Sequence, residues 1–204
     1  LLTTMFAIDV TSYAVMMNHY HILVRVNVEK AAKWSANEIF EHWSVLFQVP
    51  DLVRQYLAGH LIELEDIQAA ENMIEIYRER LTSISWFMRC LNEHIARLAN
   101  FEDKCTGRFW EGRFKSQAIL DEAALINTMV YIDLNPIRAK IAETPESSKY
   151  TSIAERIAER NLTSEFQCAT HGKLLPFMDG KGLTDAPHIP MHLIDYIELV
   201  DWTG

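Results

Sequence analysis

His19 and His21 are residues whose types and spacing could do chemistry, and they flank a single tyrosine, Tyr20. They lie in the run Tyr13-Ala14-Val15-Met16-Met17-Asn18-His19-Tyr20-His21-Ile22-Leu23-Val24-Arg25-Val26. Its β-branched and aliphatic residues predict strand, and strand side chains alternate between faces. Both imidazoles then point one way, while Tyr20 and Ile22 point the other. Two imidazoles on one strand face are a ready pair of ligands for one metal ion. The plain alternative is two half-exposed polar positions. An ion held there could polarise a carbonyl or a phosphate, and the attacking group must then come from elsewhere.

Tyr131 is a candidate for that group. It lies in a very apolar stretch, Glu122 to about Leu134, for which Asp121 is a good N-cap. Asn127, Tyr131 and Asn135 recur there at i, i+4 and i+8, which makes one polar stripe on a helix that otherwise wants burial. A phenol with a pKa of about 10 is a weak nucleophile at neutral pH. A divalent cation on a scissile phosphate would assist it by neutralising charge. The alternative is a core tyrosine whose hydroxyl finds one partner. Pro136 biases Asn135 away from helical dihedrals, so the helix should end or kink there. Asn135 is then expected to N-cap a short helix over Pro136 to Ile141. A water nucleophile on the histidine pair is a more distant reading, because neither H-E-x-x-H nor a third nearby histidine accompanies it.

A third stretch is Arg108-Phe109-Trp110-Glu111-Gly112-Arg113-Phe114-Lys115-Ser116-Gln117-Ala118-Ile119-Leu120. Basic and aromatic residues interleave here at near-alternating spacing. Arg108, Arg113 and Lys115 can neutralise phosphates, while Phe109 and Trp110 can stack on unpaired bases. A strand with buried aromatics and solvated cations explains the pattern equally well.

The elements that must position these residues can be read in order. Residues 5–17 and 19–26 are both strand-like, and Asn18 between them is a good turn residue, so an antiparallel hairpin is expected. From Glu29 to Phe47, Trp34, Ile39, Phe40, Trp43 and Phe47 recur at helical spacing. Ser35 ahead of Glu38 predicts a helix start. Residues 51–81 continue as helix, with Glu75 and Arg78 on a solvated face. Thr82 or Ser83 should cap a helix from Ile84 to about Asn100. After Ala142, a short helix over Ser152 to Arg160 is expected. Residues 162–204 contain Gly172, Pro176, Gly180, Gly182, Pro187 and Pro190. They read as an extended, wrapping tail with a last helical turn around Met191 to Leu199.

The chain has 204 residues, 49% hydrophobic and 23% charged, enough for one sizeable domain or a domain with an insertion. No apolar run approaches ~18 residues, so no membrane span is expected. Cys90, Cys105 and Cys168 lack C-x-x-C spacing and suit reduced thiols, hence a cytoplasmic location. The net charge of −9 counts against a broad nucleic-acid-coating surface, but leaves room for a local basic groove.

Met16-Met17-Asn18-His19-Tyr20-His21-Ile22-Leu23-Val24 resembles the histidine–hydrophobic–histidine motif of the IS200-like single-tyrosine (HUH) transposases. Phe109-Trp110-Glu111-Gly112-Arg113-Phe114, followed by Tyr131-Ile132-Asp133-Leu134-Asn135-Pro136-Ile137-Arg138-Ala139, resembles their REP-associated branch. The three motifs stand in the family's order across residues 13–139. The resemblance implies an α+β fold whose core is a ferredoxin-like antiparallel sheet with helices on one face. It implies a catalytic domain over residues 1–141, interrupted by a helical insertion at 28–82, and a C-terminal extension over 142–204 that wraps on it. The family's first strand and helix would precede Leu1, so the chain is expected to be a fragment whose sheet lacks one internal strand.

The resemblance also implies an activity. His19 and His21 would bind Mg²⁺ or Mn²⁺, with Asn135 completing the metal shell. Tyr131 would attack single-stranded DNA beside a hairpin, leaving a 5′-phosphotyrosine link and a free 3′-hydroxyl. Arg108, Trp110, Arg113, Lys115 and Arg138 would contact DNA. Relatives include monomers and swapped homodimers. The competing expectation is a truncated or domesticated relative that recognises hairpin DNA without cleaving it.

Overall fold

Two β-rich runs separated by four residues pair into a hairpin in the computed structural model, which describes residues 1–161, 174–179 and 186–204. β1 is Ile8–Val15 and β2 is Tyr20–Val26. The Met16 N–H donates to the His19 carbonyl at 2.9 Å and closes the turn. So short a link can join only antiparallel strands. Among the described residues these two strands make the only sheet. The remaining elements are helices, and the architecture is α+β.

The chain packs as two units. One comprises Leu1–Ile8 and Val26–Ser116, and the other comprises Asp9–Arg25 and Gln117–Gly204. The first unit is helical. It contains α1 (Leu2–Met5), α2 (Val28–Lys33), α3 (Ala36–Ser44), α4 (Asp51–Leu57), α5 (Leu64–Leu81) and α6 (Ile84–Glu102). Residue 5, expected in a strand, ends α1 instead. Ser35 starts α3 as its spacing predicts, through a capping box: the Glu38 N–H donates to Ser35 Oγ, and Glu38 Oε2 accepts from the Ser35 N–H at 2.7 Å. Trp43 stacks on Tyr77 with ring centres 4.7 Å apart and on Phe47 at 4.3 Å. Ile39, Val53, Ala70, Ile74 and Leu81 are buried with them. Arg78 does pair with Glu75, but it does not merely face water. Its guanidinium donates to the Trp34 and Ala31 carbonyls at the end of α2, where cations are favoured.

The basic–aromatic stretch departs from its alternating pattern. Residues 103–121 form neither helix nor strand. Gly107 has φ +126°, a conformation that L side chains rarely adopt and that breaks an extended run. Alternation alone does not make a strand when no partner supplies a ladder.

The second unit holds most of the hairpin together with α7 (Glu122–Asp133), α8 (Asn135–Arg138), α9 (Ser152–Asn161) and α10 (Leu193–Thr203). Asp121 caps α7 as expected, accepting from the Ala124 N–H at 2.7 Å. Met129, Val130 and Leu134 pack with Ile153 of α9 and with Tyr196 and Val200 of α10. The outer edge of β1 is met by irregular chain. The Val15 N–H donates to the Tyr150 carbonyl, and the Leu175 N–H to the Val10 carbonyl. The last helix is longer than the single turn expected around Met191 to Leu199. Its sequence is apolar at helical spacing, and Tyr196 and Val200 are fully buried. Cys168, Gly172, Gly180 and Gly182, named above, lie outside the described residues.

Candidate metal and nucleophile site

The hairpin turn delivers His19 and the second residue of β2 delivers His21. Their rings meet edge to face with centres 5.1 Å apart. At that separation one nitrogen of each ring can lie about 2.0–2.3 Å from a shared ion. Asn18 Oδ1 lies 2.8 Å from His19 Nδ1. If Nδ1 carries the proton, it donates to that oxygen and leaves the Nε2 lone pair outward. An outer partner of this kind fixes a ligand histidine's tautomer and orientation. Partial burial, and then the neighbouring His19, push the His21 pKa below its ordinary value. His21 therefore stays neutral, the form that ligates metal, to lower pH than a free imidazole. Two neutral imidazoles this close could supply part of a divalent ion's shell. Among the described residues, no group of three or more His, Cys, Asp or Glu side chains is placed to hold a metal. Among the described residues, a third protein ligand would be an amide, a carbonyl or another group outside that set.

Tyr131 reaches the same place from α7. Its ring centre lies 6.0 Å from that of His21, and its side chain stands on the solvent side, with 49% of the residue exposed. It is not a core tyrosine. The polar stripe explains why, since Asn127 is exposed and Asn135 half-buried beside it. Pro136 turns the chain into α8, and this brings the Arg138 guanidinium over the Tyr131 ring at 5.5 Å.

Asn135 does not act as the N-cap expected of it. Leu134 holds that position, and Asn135 is the first residue of α8. Its amide Nδ2 donates backwards to the Tyr131 carbonyl at 2.8 Å. The Asn135 side chain thereby supplies a donor to a carbonyl in the last turn of α7. Its amide oxygen remains available as a ligand.

Arg108, Trp110, Arg113 and Lys115 belong to the helical unit. The three cations are exposed. Trp110 is half-buried and donates through Nε1 to the Asn92 carbonyl at 2.9 Å, with its ring edge-on to Phe109. Of the residues expected to touch DNA, Arg138 stands beside Tyr131.

Sequence reasoning missed the support behind Tyr131. Asp133, two residues on, is fully buried. It accepts from Ser152 Oγ at 2.6 Å, from the Ile153 N–H at 3.1 Å and from the Tyr196 hydroxyl at 2.5 Å. Burial drives its pKa up to about 6, against the lowering effect of these bonds. Nearby, Arg156 donates to the Thr11 and Leu175 carbonyls at 2.9 and 3.0 Å and lies over Phe177. An acid among Val130, Ile132 and Leu134 was the available signal. An acid in an apolar run is as common on a solvated face as in a buried network, so spacing could not decide it.

No family model, curated protein or solved structure matches the chain.

Proposed function

We propose that the protein is a metal-dependent single-strand DNA transposase, or endonuclease–ligase, that cleaves hairpin-associated DNA through a 5′-phosphotyrosine. The observation that carries this reading is the meeting of His19, His21 and Tyr131 within one unit, with the Tyr131 ring 6.0 Å from His21. The reading brings with it a ferredoxin-like core, in which β1 and β2 are the hairpin that bears the histidines. A divalent ion on His19 and His21, with the Asn135 amide oxygen as a further ligand, would neutralise charge on the scissile phosphate. Asn18 lies where it can hold His19 through Nδ1, and partial burial lowers the His21 pKa, which favours its metal-ligating neutral form. Tyr131 is half exposed, so an incoming strand would have access to it. The tyrosine oxygen would form the new bond to phosphorus as its proton passes to solvent, the phosphorus–O3′ bond would break, and the 3′-oxygen would take up a proton from solvent and leave as the hydroxyl.

Other tyrosines are less suited to this role. The Tyr13 hydroxyl donates to Glu155 and the Tyr196 hydroxyl to Asp133, and both phenols are pushed above their ordinary pKa, chiefly by burial. Incubation with labelled hairpin-bearing single-stranded DNA and Mn²⁺ tests the reading. The expected product is an adduct that survives denaturation and is absent from Tyr131→Phe. A shifted band with no adduct in the unaltered protein would favour binding without cleavage. Hydrolysis without adduct would favour a water nucleophile.

A further inference from the structure

α7 and α10 enclose an open pocket of about 270 Å³ on the face that carries Tyr131, lined by Asn127, Val130, Tyr131, Arg138, Leu199 and Thr203. All six belong to the second unit. Val130, Leu199 and the Tyr131 ring supply apolar wall. Asn127 is exposed on α7 one turn before Tyr131, and its amide offers both a donor and an acceptor. Arg138 brings a permanent positive charge to the tyrosine's ring. Thr203 Oγ donates to the Leu199 carbonyl, so its methyl group remains for packing. A flat aromatic ligand with a polar edge and one anionic group matches this set. The volume lies just below the usual range of about 300–1,000 Å³ for drug-sized ligands, which is the scale of one such group.

We infer that the pocket between α7 and α10 seats one unpaired nucleotide, with its base against Leu199 and the Tyr131 ring, its edge at Asn127 and its phosphate at Arg138. The base would be read by an amide, the side chain that makes paired hydrogen bonds to adenine edges elsewhere. The inference rests on the proposed function for its meaning: the seat would hold a nucleotide next to the phosphate that Tyr131 attacks. It also gives α10 a part in choosing the DNA.

The full chain can be tested with the four deoxynucleoside 5′-monophosphates, deoxyribose 5-phosphate and inorganic phosphate as probes, with binding read by saturation-transfer NMR and titration. At least one nucleotide should bind fivefold or more tightly than deoxyribose 5-phosphate. Thr203→Trp, which fills the mouth from an exposed position, and Asn127→Ala should each remove that preference. Arg138→Ala should weaken nucleotide and inorganic phosphate alike. Equal binding of nucleotide and sugar phosphate, no binding at millimolar concentration, or a preference untouched by Thr203→Trp in a protein of unchanged circular dichroism would each overturn the inference. The adduct assay is read separately. Loss of the adduct with the nucleotide preference intact sinks the transposase reading alone, and the reverse sinks the pocket alone.

Discussion

Asn18 and His21 decide how the histidine pair is presented, by different means. Asn18 can hold His19 through Nδ1 and set its tautomer, whereas partial burial lowers the His21 pKa and favours the neutral ring. Removing an outer partner of a ligand histidine costs roughly 10–100-fold in metal affinity. Asn18→Ala should therefore weaken Mn²⁺ binding by about tenfold, while His21→Ala, which removes a ligand outright, should leave no measurable site. Calorimetric titration of the three proteins checks this. Equal affinity in Asn18→Ala and the unaltered chain would mean that Asn18 does not set His19 for metal binding. The nearness of His19 and His21 was legible in the sequence, because an i, i+2 relation puts both rings on one side wherever the segment is extended. The approach of Tyr131 to His21 was not legible from spacing. It depends on the packing of α7 against residues of α9 and α10, and only the resemblance linked the two stretches.

Helices α7, α9 and α10 are joined through one buried carboxyl, and the consequences can be measured at the level of these elements. Asp133 has a folded-state pKa of about 6, above its ordinary carboxylate value. Between those two values the folded protein binds a proton that the unfolded chain does not. Its contribution is fully present below the unfolded pKa and is lost as pH rises through about 6. The amount at stake is on the order of 3 kcal/mol. Urea unfolding from pH 4 to pH 7 should show the difference in stability between the unaltered protein and Asp133→Asn change by this order, moving against the unaltered protein as pH rises. A pH-independent difference would place the carboxyl's titration elsewhere. Asp133→Ala should cost more at any pH, because it strands the Ser152 and Tyr196 hydroxyls and the Ile153 N–H. On the helical unit, Ser35→Ala should cost about 1 kcal/mol by removing a cap that the sequence displayed openly. The contrast between Ser35 and Asp133 is physical. A cap is a contact between neighbours in sequence, whereas Asp133 is satisfied mainly from α9 and α10, which no local pattern announces.

At the scale of the whole chain, charge and helical content were readable from composition and periodicity, while the division into units was not. The chain leaves the helical unit at Ile8, contributes Asp9–Arg25 to the other, and returns at Val26. No helix among the described residues is long and apolar enough to cross a membrane. The molecule carries a net charge of −9, so any attraction to DNA has to be local. Arg113 and Lys115 are exposed in an irregular segment, where no strand ladder fixes them. If each neutralises one phosphate, each releases condensed counterions and steepens the salt dependence by about 0.7 in log K against log salt. Replacing both with alanine should lower the magnitude of that slope by about 1.4, as well as weakening binding at low salt. Fluorescence anisotropy with a single-stranded hairpin oligonucleotide over 50–300 mM salt, on the order used for such slopes, measures it. Arg138→Ala should reduce the slope by about half as much, because it removes one charge. An unchanged slope in the double variant would return Arg113 and Lys115 to cations that merely face water, and would leave Arg138 to carry the phosphate contact beside Tyr131.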